Sequence, residues 1–392
     1  MLKKNYFWLI VIAAVGIIAA AVGASRMDAP QQQQEQEAAI ARQRPQRPQV
    51  EVVFVLDTTG SMSGLIQGAK QKIWSIVNEI AKGRPTPEVR LGLVGYRDRG
   101  DRYVTTRVDL TNDLDAVYEK LMGFSADGGG DTPESVNQAL HEAVHQMSWS
   151  SDRRTLKVVF LVGDAPPHMD YAQDVRYQDT CRQAVRKDII INTIQCGTDA
   201  DTRRTWNDIA HGAEGTYVAI AQSGGTVAIA TPYDRRLTEL SAKLDSTYLA
   251  YGSSGERGAA KARLARGATV AASAAPEAAA ARASFRALAA PAAPAKGDLL
   301  GAVEGGGLAL DKLADNELPD EMQGLSATER TAYLQKKKSE REQIQQQIAA
   351  LSKERDEYVK QEMAKQGGAK DAFDTTVIEA IRSKAAKKGI SY

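Results

Sequence analysis

Between residues 50 and 251, short apolar runs alternate with stretches in which apolar side chains recur every three or four positions. Residues 52–56, 91–96 and 156–162 are unbroken β-branched and apolar runs, the pattern of strands covered on both faces. Further strands are predicted at 103–108, 189–194 and 216–220. Between them, Leu65, Ala69, Ile73, Ile76, Val77 and Ile80 fall at helical spacing, as do Val136, Leu140, Ala143, Val144 and Met147. Strands that alternate with helices imply crossover connections, and so an α/β fold with a doubly wound, mostly parallel central sheet flanked by helices.

The flanks carry other patterns. Lys3 and Lys4 precede an uncharged apolar run over residues 6–24, which marks residues 1–27 as a signal peptide or an N-terminal membrane anchor. Val22 and Ala24 suit cleavage, yet the run is also close to the ~20 residues that span a bilayer, so both fates stay open. Residues 28–49 are Gln, Pro, Ala and charge, a tether with nothing to build a core. Residues 252–295 turn to Ala, Gly, Arg and Pro. Without large apolar side chains to offset ordering entropy, they are expected to be a linker.

Residues 296–392 are expected to be a charged helical extension. Ser326 and Glu329 form a capping-box pattern, followed by a Lys-, Glu-, Gln- and Arg-rich stretch with Ile344, Ile348, Leu351 and Tyr358 thinly spaced. Coiled-coil pairing is one outcome, but Lys337, Arg341 and Arg355 break the a/d seam it needs, which favours a solvated single helix. At the end, Phe373, Val377 and Ile381 lie at i, i+4 and i+8 and offer a face that could dock.

Composition narrows the function. The 392 residues hold 50 Lys plus Arg against 49 Asp plus Glu, so no global excess of positive charge draws the chain to nucleic acid or anionic lipid. The membrane is expected to be met only through the N-terminal segment, which places the rest outside the cytoplasm, in a periplasm or cell envelope. In that setting the two cysteines, Cys181 and Cys196, invite a disulfide, with two buried small apolar residues as the alternative.

The chemistry gathers after the strands. Asp57-Thr-Thr59-Gly-Ser61 follows the first, and alternation points the carboxylate and both hydroxyls the same way. Gly128-Gly-Gly-Asp131-Thr132-Pro-Glu134 precedes the Val136 helix, and Gly163-Asp164 follows the third apolar run. All three loops should meet at the carboxyl edge of the sheet, where open α/β folds bind ligands. Hydroxyls and carboxylates are hard donors suited to Mg²⁺ or Mn²⁺.

These three pieces, in this order, resemble the von Willebrand factor A domain with its metal-ion-dependent adhesion site, over about residues 50–250. The resemblance implies that Ser61 and Thr132 ligate the ion directly, while Asp57, Thr59 and Asp164 act directly or through water. Thr59 stands where the family usually has serine, and Gly163-Asp164-Ala165 replaces its common Thr-Asp-Gly. The resemblance further implies a protein-binding module without catalysis, in which an acidic group of an unidentified partner completes the ion's coordination. Tyr96, Arg97, Asp98, Arg99, Glu134 and His168 are candidates for the rim around it.

Two rival functions remain on these residues. A hydrolase would use Asp57 or Asp164, but no nucleophile elbow and no phosphate-binding loop accompany them. An assembly scaffold would act through the long C-terminal helix. His141 and His145 have the i, i+4 spacing of a zinc pair but no metalloprotease motif around them, so they are expected to be surface histidines.

Overall fold

The structure is a computed structural model that describes residues 47–130, 132–225, 228–289, 297–365 and 372–392. The N-terminal export segment, most of the tether that follows it, and Asp131 lie outside the described residues. Six strands appear where the apolar runs predict them: β1 Gln49–Asp57, β2 Glu88–Tyr96, β3 Thr105–Thr111, β4 Leu156–Gly163, β5 Ile189–Cys196 and β6 Tyr217–Ile220. They form one sheet in the order β3-β2-β1-β4-β5-β6, parallel except for the β2–β3 pair. Around it, in chain order, run α1 Ser63–Ala81, α2 Leu114–Met122, α3 Val136–His145, α4 Tyr177–Arg186 and α5 Ala200–Gly212.

The strand order reverses between β1 and β4. Their register pairs Leu56 with Val162, and across β1 Asp57 pairs with Tyr96 of β2. Asp57, Tyr96 and Gly163 therefore end their strands in one row, at the switch point of a doubly wound sheet. Alternation along β1 sends Val52, Phe54 and Leu56 to the face beneath α1 and α2, and Val53 and Val55 to the face beneath α3, α4 and α5.

The two cysteines divide between those faces: Cys181 of α4 belongs to one core and Cys196 of β5 to the other. With the sheet between them both are free, buried thiols, so of the two alternatives the structure has the pair of buried small side chains and not the disulfide. Burial pushes the Cys181 thiol up to about 12 and raises that of Cys196 as well.

The expected linker is mostly helical. After α6 (Asp234–Asp245), the chain forms α7 Ser254–Ser273, started by a Ser253–Glu256 capping box, and α8 Pro276–Ala289. Alanine is the strongest helix former and loses no side-chain entropy, so a lack of large apolar residues does not prevent folding. In α8 the small side chains Ala278, Ala280, Ala281 and Ala283 are buried, and the backbone comes close enough to α1 for Asn78 Nδ2 to donate to Ala281 O at 2.9 Å. Arg282, buried among them, donates two bonds to Asp115 at 2.6 and 2.7 Å.

The C-terminal extension is likewise packed. After α9 (Leu299–Glu304) comes α10, Ala327–Lys365, with the Ser326–Glu329 box at its start. It is not a free solvated helix: Ile344 and Ile348 join Leu237, Leu240, Ala280 and Ala283 in a core shared with α6 and α8. The arginines that break the heptad seam serve this packing. Arg341 pairs with buried Asp298, and Arg355 Nε donates to buried Asp234 at 2.7 Å. The last helix, α11 Ala372–Ala385, docks as its spacing suggested, burying Phe373, Val377 and Ile381 against the α1 side of the sheet. Residues 47–392 thus make one compact unit. No helix among the described residues is long and apolar enough to cross a membrane.

Candidate functional site

Asp57 closes β1 fully buried. Its Oδ1 accepts from the Thr59 amide at 2.9 Å and from Thr59 Oγ1 at 2.6 Å, and Thr59 Oγ1 lies 3.4 Å from Ser61 Oγ. The alternating Asp-x-Thr-x-Ser spacing thus produces a chain of oxygens on one side of the loop. Asp57 Oδ2 is buried without a hydrogen-bond partner. Burial raises the Asp57 carboxyl to about 7; the bonds from Thr59 oppose this, while the charge of Asp164 adds to it.

The second loop is brought in by its backbone. Gly60 N donates to Gly128 O at 3.1 Å and Asp127 N to Thr58 O at 3.2 Å. Gly129 has φ +69°, and a Cβ there would lie 2.7 Å from Thr59 Cβ and 3.0 Å from Glu134 Oε1. Only glycine fits such a close approach in a left-handed conformation. Asp101, which the sequence did not single out, holds the turn by accepting from Gly129 N at 3.1 Å. Thr132 follows in this loop as an exposed residue.

The third loop joins the other two. Gly163 must be glycine, since a Cβ would meet Tyr96 Oη at 2.4 Å and Asp57 Cβ at 2.9 Å. Asp164 follows it directly, and its backbone carbonyl accepts from Thr202 Oγ1 at 3.0 Å. Glu134 N donates to Pro166 O at 2.9 Å and His168 N to Glu134 O at 3.0 Å, stitching the second and third loops together.

Several expected rim residues are buried instead. Arg97 is 2% exposed; its Nε donates to Thr58 O at 3.1 Å and its Nη2 to Ser125 O at 2.8 Å, so it braces the first two loops. Asp98 accepts from Ser135 Oγ at 2.8 Å and Tyr171 Oη at 2.9 Å. Glu134 is buried beside Gly129 with Oε2 unpartnered, and burial followed by the charges of Asp57 and Asp98 raises it to about 9. His168 is buried too, 2.7 Å from Asp170 and 3.3 Å from Asp98. The side chain of Arg99 stays partly open, stacked over Tyr171 and paired with Asp174 at 2.5 Å. His141 and His145 stack on α3 at 4.6 Å, with Lys187 Nζ 3.1 Å from His145 Nδ1.

The structure gathers two carboxylates, Asp57 and Asp164, and two hydroxyls, Thr59 and Ser61, at this edge, while no hydrogen bond among the described residues ties the exposed Thr132 to them. Among the described residues no group of three or more His, Cys, Asp or Glu is arranged to hold a metal, so a cation here must draw on the hydroxyls. The residues fit one: an unpartnered, buried carboxylate oxygen on Asp57 lies behind an exposed Ser61, and every donor is a hard oxygen.

The family model for the von Willebrand factor A domain matches residues 51–232. This part of the chain is a von Willebrand factor A domain. The von Willebrand factor A domain-containing protein 7 of Rattus norvegicus is 38% identical over 120 residues, which are 31% of this chain and 12% of that protein's length. Solved structures of the same fold resemble the chain as well, two of them as follows. The SpRpn10 VWA domain is 13% identical, covering 44% of this chain and 88% of its own, with a TM-score of 0.34. Proximal thread matrix protein 1 from the mussel byssus, solved with a zinc-occupied MIDAS motif, is 16% identical, covering 45% of this chain and 42% of its own, also with a TM-score of 0.34.

Proposed function

We propose that the A domain binds one divalent cation, Mg²⁺ or Mn²⁺, through Asp57, Thr59, Ser61, Thr132 and Asp164, and through it an acidic group of a protein partner outside the cytoplasm. The observation that carries this is the union of the Asp57-Thr59-Ser61 oxygen chain with Asp164, over a buried carboxylate oxygen that has no hydrogen-bond partner among the described residues. An unpaired buried acceptor of this kind is costly to keep, and sites that keep one commonly serve a ligand.

In this reading Thr59 orients Asp57, holding Oδ1 by amide and hydroxyl so that Oδ2 faces the site. Glycines 129 and 163 let the loops approach closely enough to exclude water from its floor. The bound cation would supply positive charge for an incoming carboxylate. Binding is favoured over hydrolysis because among the described residues no serine–histidine pair accompanies the carboxylates: Ser135 gives its proton to Asp98 rather than to His168. The location outside the cytoplasm rests on the lysine-flanked apolar run at residues 6–24.

Calorimetry on the full chain tests the reading. Mg²⁺ or Mn²⁺ should bind the wild type, and Asp57→Ala should remove the heat while circular dichroism stays that of a folded protein. No detectable heat from the wild type at millimolar ion refutes it. With binding in hand, crosslinking in the envelope should capture a partner with wild type and lose it with Asp57→Ala.

A further inference from the structure

We propose that Gln222, on the segment after β6, is a positioning residue for the cation site, bracing Asp164 from outside. The proposal rests on the cation-binding reading above and deepens it.

Gln222 lies two residues beyond the end of β6. Because Cys196 pairs with Ile220 and Gly197 N donates to Ile220 O at 3.0 Å, that segment emerges at the same sheet edge as Asp57 and Asp164. From there Gln222 Nε2 donates to Asp164 Oδ2 at 2.6 Å and lies 3.5 Å from Ser61 O. Its Oε1 rests over Gly197, where a Cβ would come within 2.4 Å of it. The next residue is fixed as well: a Cβ on Gly64 would lie 3.0 Å from Ser223 Cα, so the segment runs hard against the start of α1. A single carboxamide therefore ties the loops after β1 and β4 and packs over the glycine that follows β5.

Asp164 needs such a brace. Asp57 is locked by Thr59 and by full burial, whereas Asp164 is only partly buried and takes its hydrogen bond from the carboxamide of Gln222. Holding Oδ2 by a neutral donor leaves Oδ1 available to a cation. A partner that orients a ligating group typically changes metal affinity by ~10–100-fold when removed. Gln222 is also exposed, so this bond can be broken without disturbing the core.

The test compares Mn²⁺ binding by calorimetry in the full-length wild type, Gln222→Met and Gln222→Ala. Methionine keeps the length and loses the donor. If the bond to Asp164 matters, both variants should bind Mn²⁺ about 10-fold or more weakly. Their melting temperatures in EDTA should equal the wild type's, and the electron paramagnetic resonance lines of bound Mn²⁺ should broaden. Wild-type affinity in Gln222→Met assigns any effect to packing and overturns the proposal, as does tighter binding, which would make Gln222 a competitor of the ion. Absence of Mn²⁺ binding by the wild type overturns both this inference and the cation-binding reading; unchanged affinity in the variants overturns this inference alone.

Discussion

Replacing Asp57 by asparagine separates what the site costs the fold from what it offers a ligand. In the cation-free protein the Asp57 carboxyl rises from 3.8 to about 7. The folded state therefore holds this proton more tightly than the unfolded chain, and the stability it confers is complete below pH 3.8 and lost as pH climbs toward 7. A shift of about 3 units at 1.36 kcal/mol each makes ionised Asp57 a burden of about 4 kcal/mol above neutrality. Asparagine keeps the Oδ1 acceptor for Thr59 and carries no charge, but its amide hydrogens replace the unpartnered Oδ2 and cost about 1–3 kcal/mol if unmet. The variant should thus be less stable than wild type near pH 4 and more stable near pH 8, a swing of about 4 kcal/mol. Urea unfolding in EDTA at the two pH values measures it. Glu134 also titrates high, partly through the charge of Asp57, so the substitution removes part of its falling slope too, and the difference between the proteins reports the two coupled carboxyls together. Excess Mg²⁺ should restore the wild type at pH 8 and leave Asp57→Asn unmoved. A difference between the proteins that does not change with pH would refute the account of Asp57 as a buried charge awaiting a counter-ion.

Two further outcomes are expected. Gly129→Ala forces a Cβ against Thr59 and Glu134 at a left-handed backbone position, so it should destabilise the protein by about 1–3 kcal/mol and abolish Mg²⁺ binding, read by urea titration and calorimetry. Arg341→Ala leaves Asp298 buried without its partner, and should cost about 3–5 kcal/mol and expose α10 to limited proteolysis that spares the wild type.

The sequence by itself determined the sheet and the edge at which the three loops meet. Strands buried on both faces read as continuous apolar runs, which made β1, β2 and β4 visible, and parallel crossovers send the carboxyl ends of all but the antiparallel β3 to one edge. Asp57, Thr59, Ser61 and Asp164 were legible because their spacing is local: alternation after a strand aims side chains without help from the rest of the chain.

Tertiary structure decided whatever depends on what lies opposite. Cys181 and Cys196 looked ready to pair until the sheet came between them, since helical and strand periodicity do not say which face a crossover will cover. The alanines of 276–289 looked too small to order, yet their smallness is what lets α8 lie against α1. Arg341 and Arg355 looked like breaks in a seam, because the acids that neutralise them, Asp298 and Asp234, are distant in sequence. Gln222 carried no signal beyond its place after a strand; its link to Asp164 exists only because the sheet aligns the ends of β4 and β6. Local pattern sets which way a side chain points, and only the folded chain sets what it meets there.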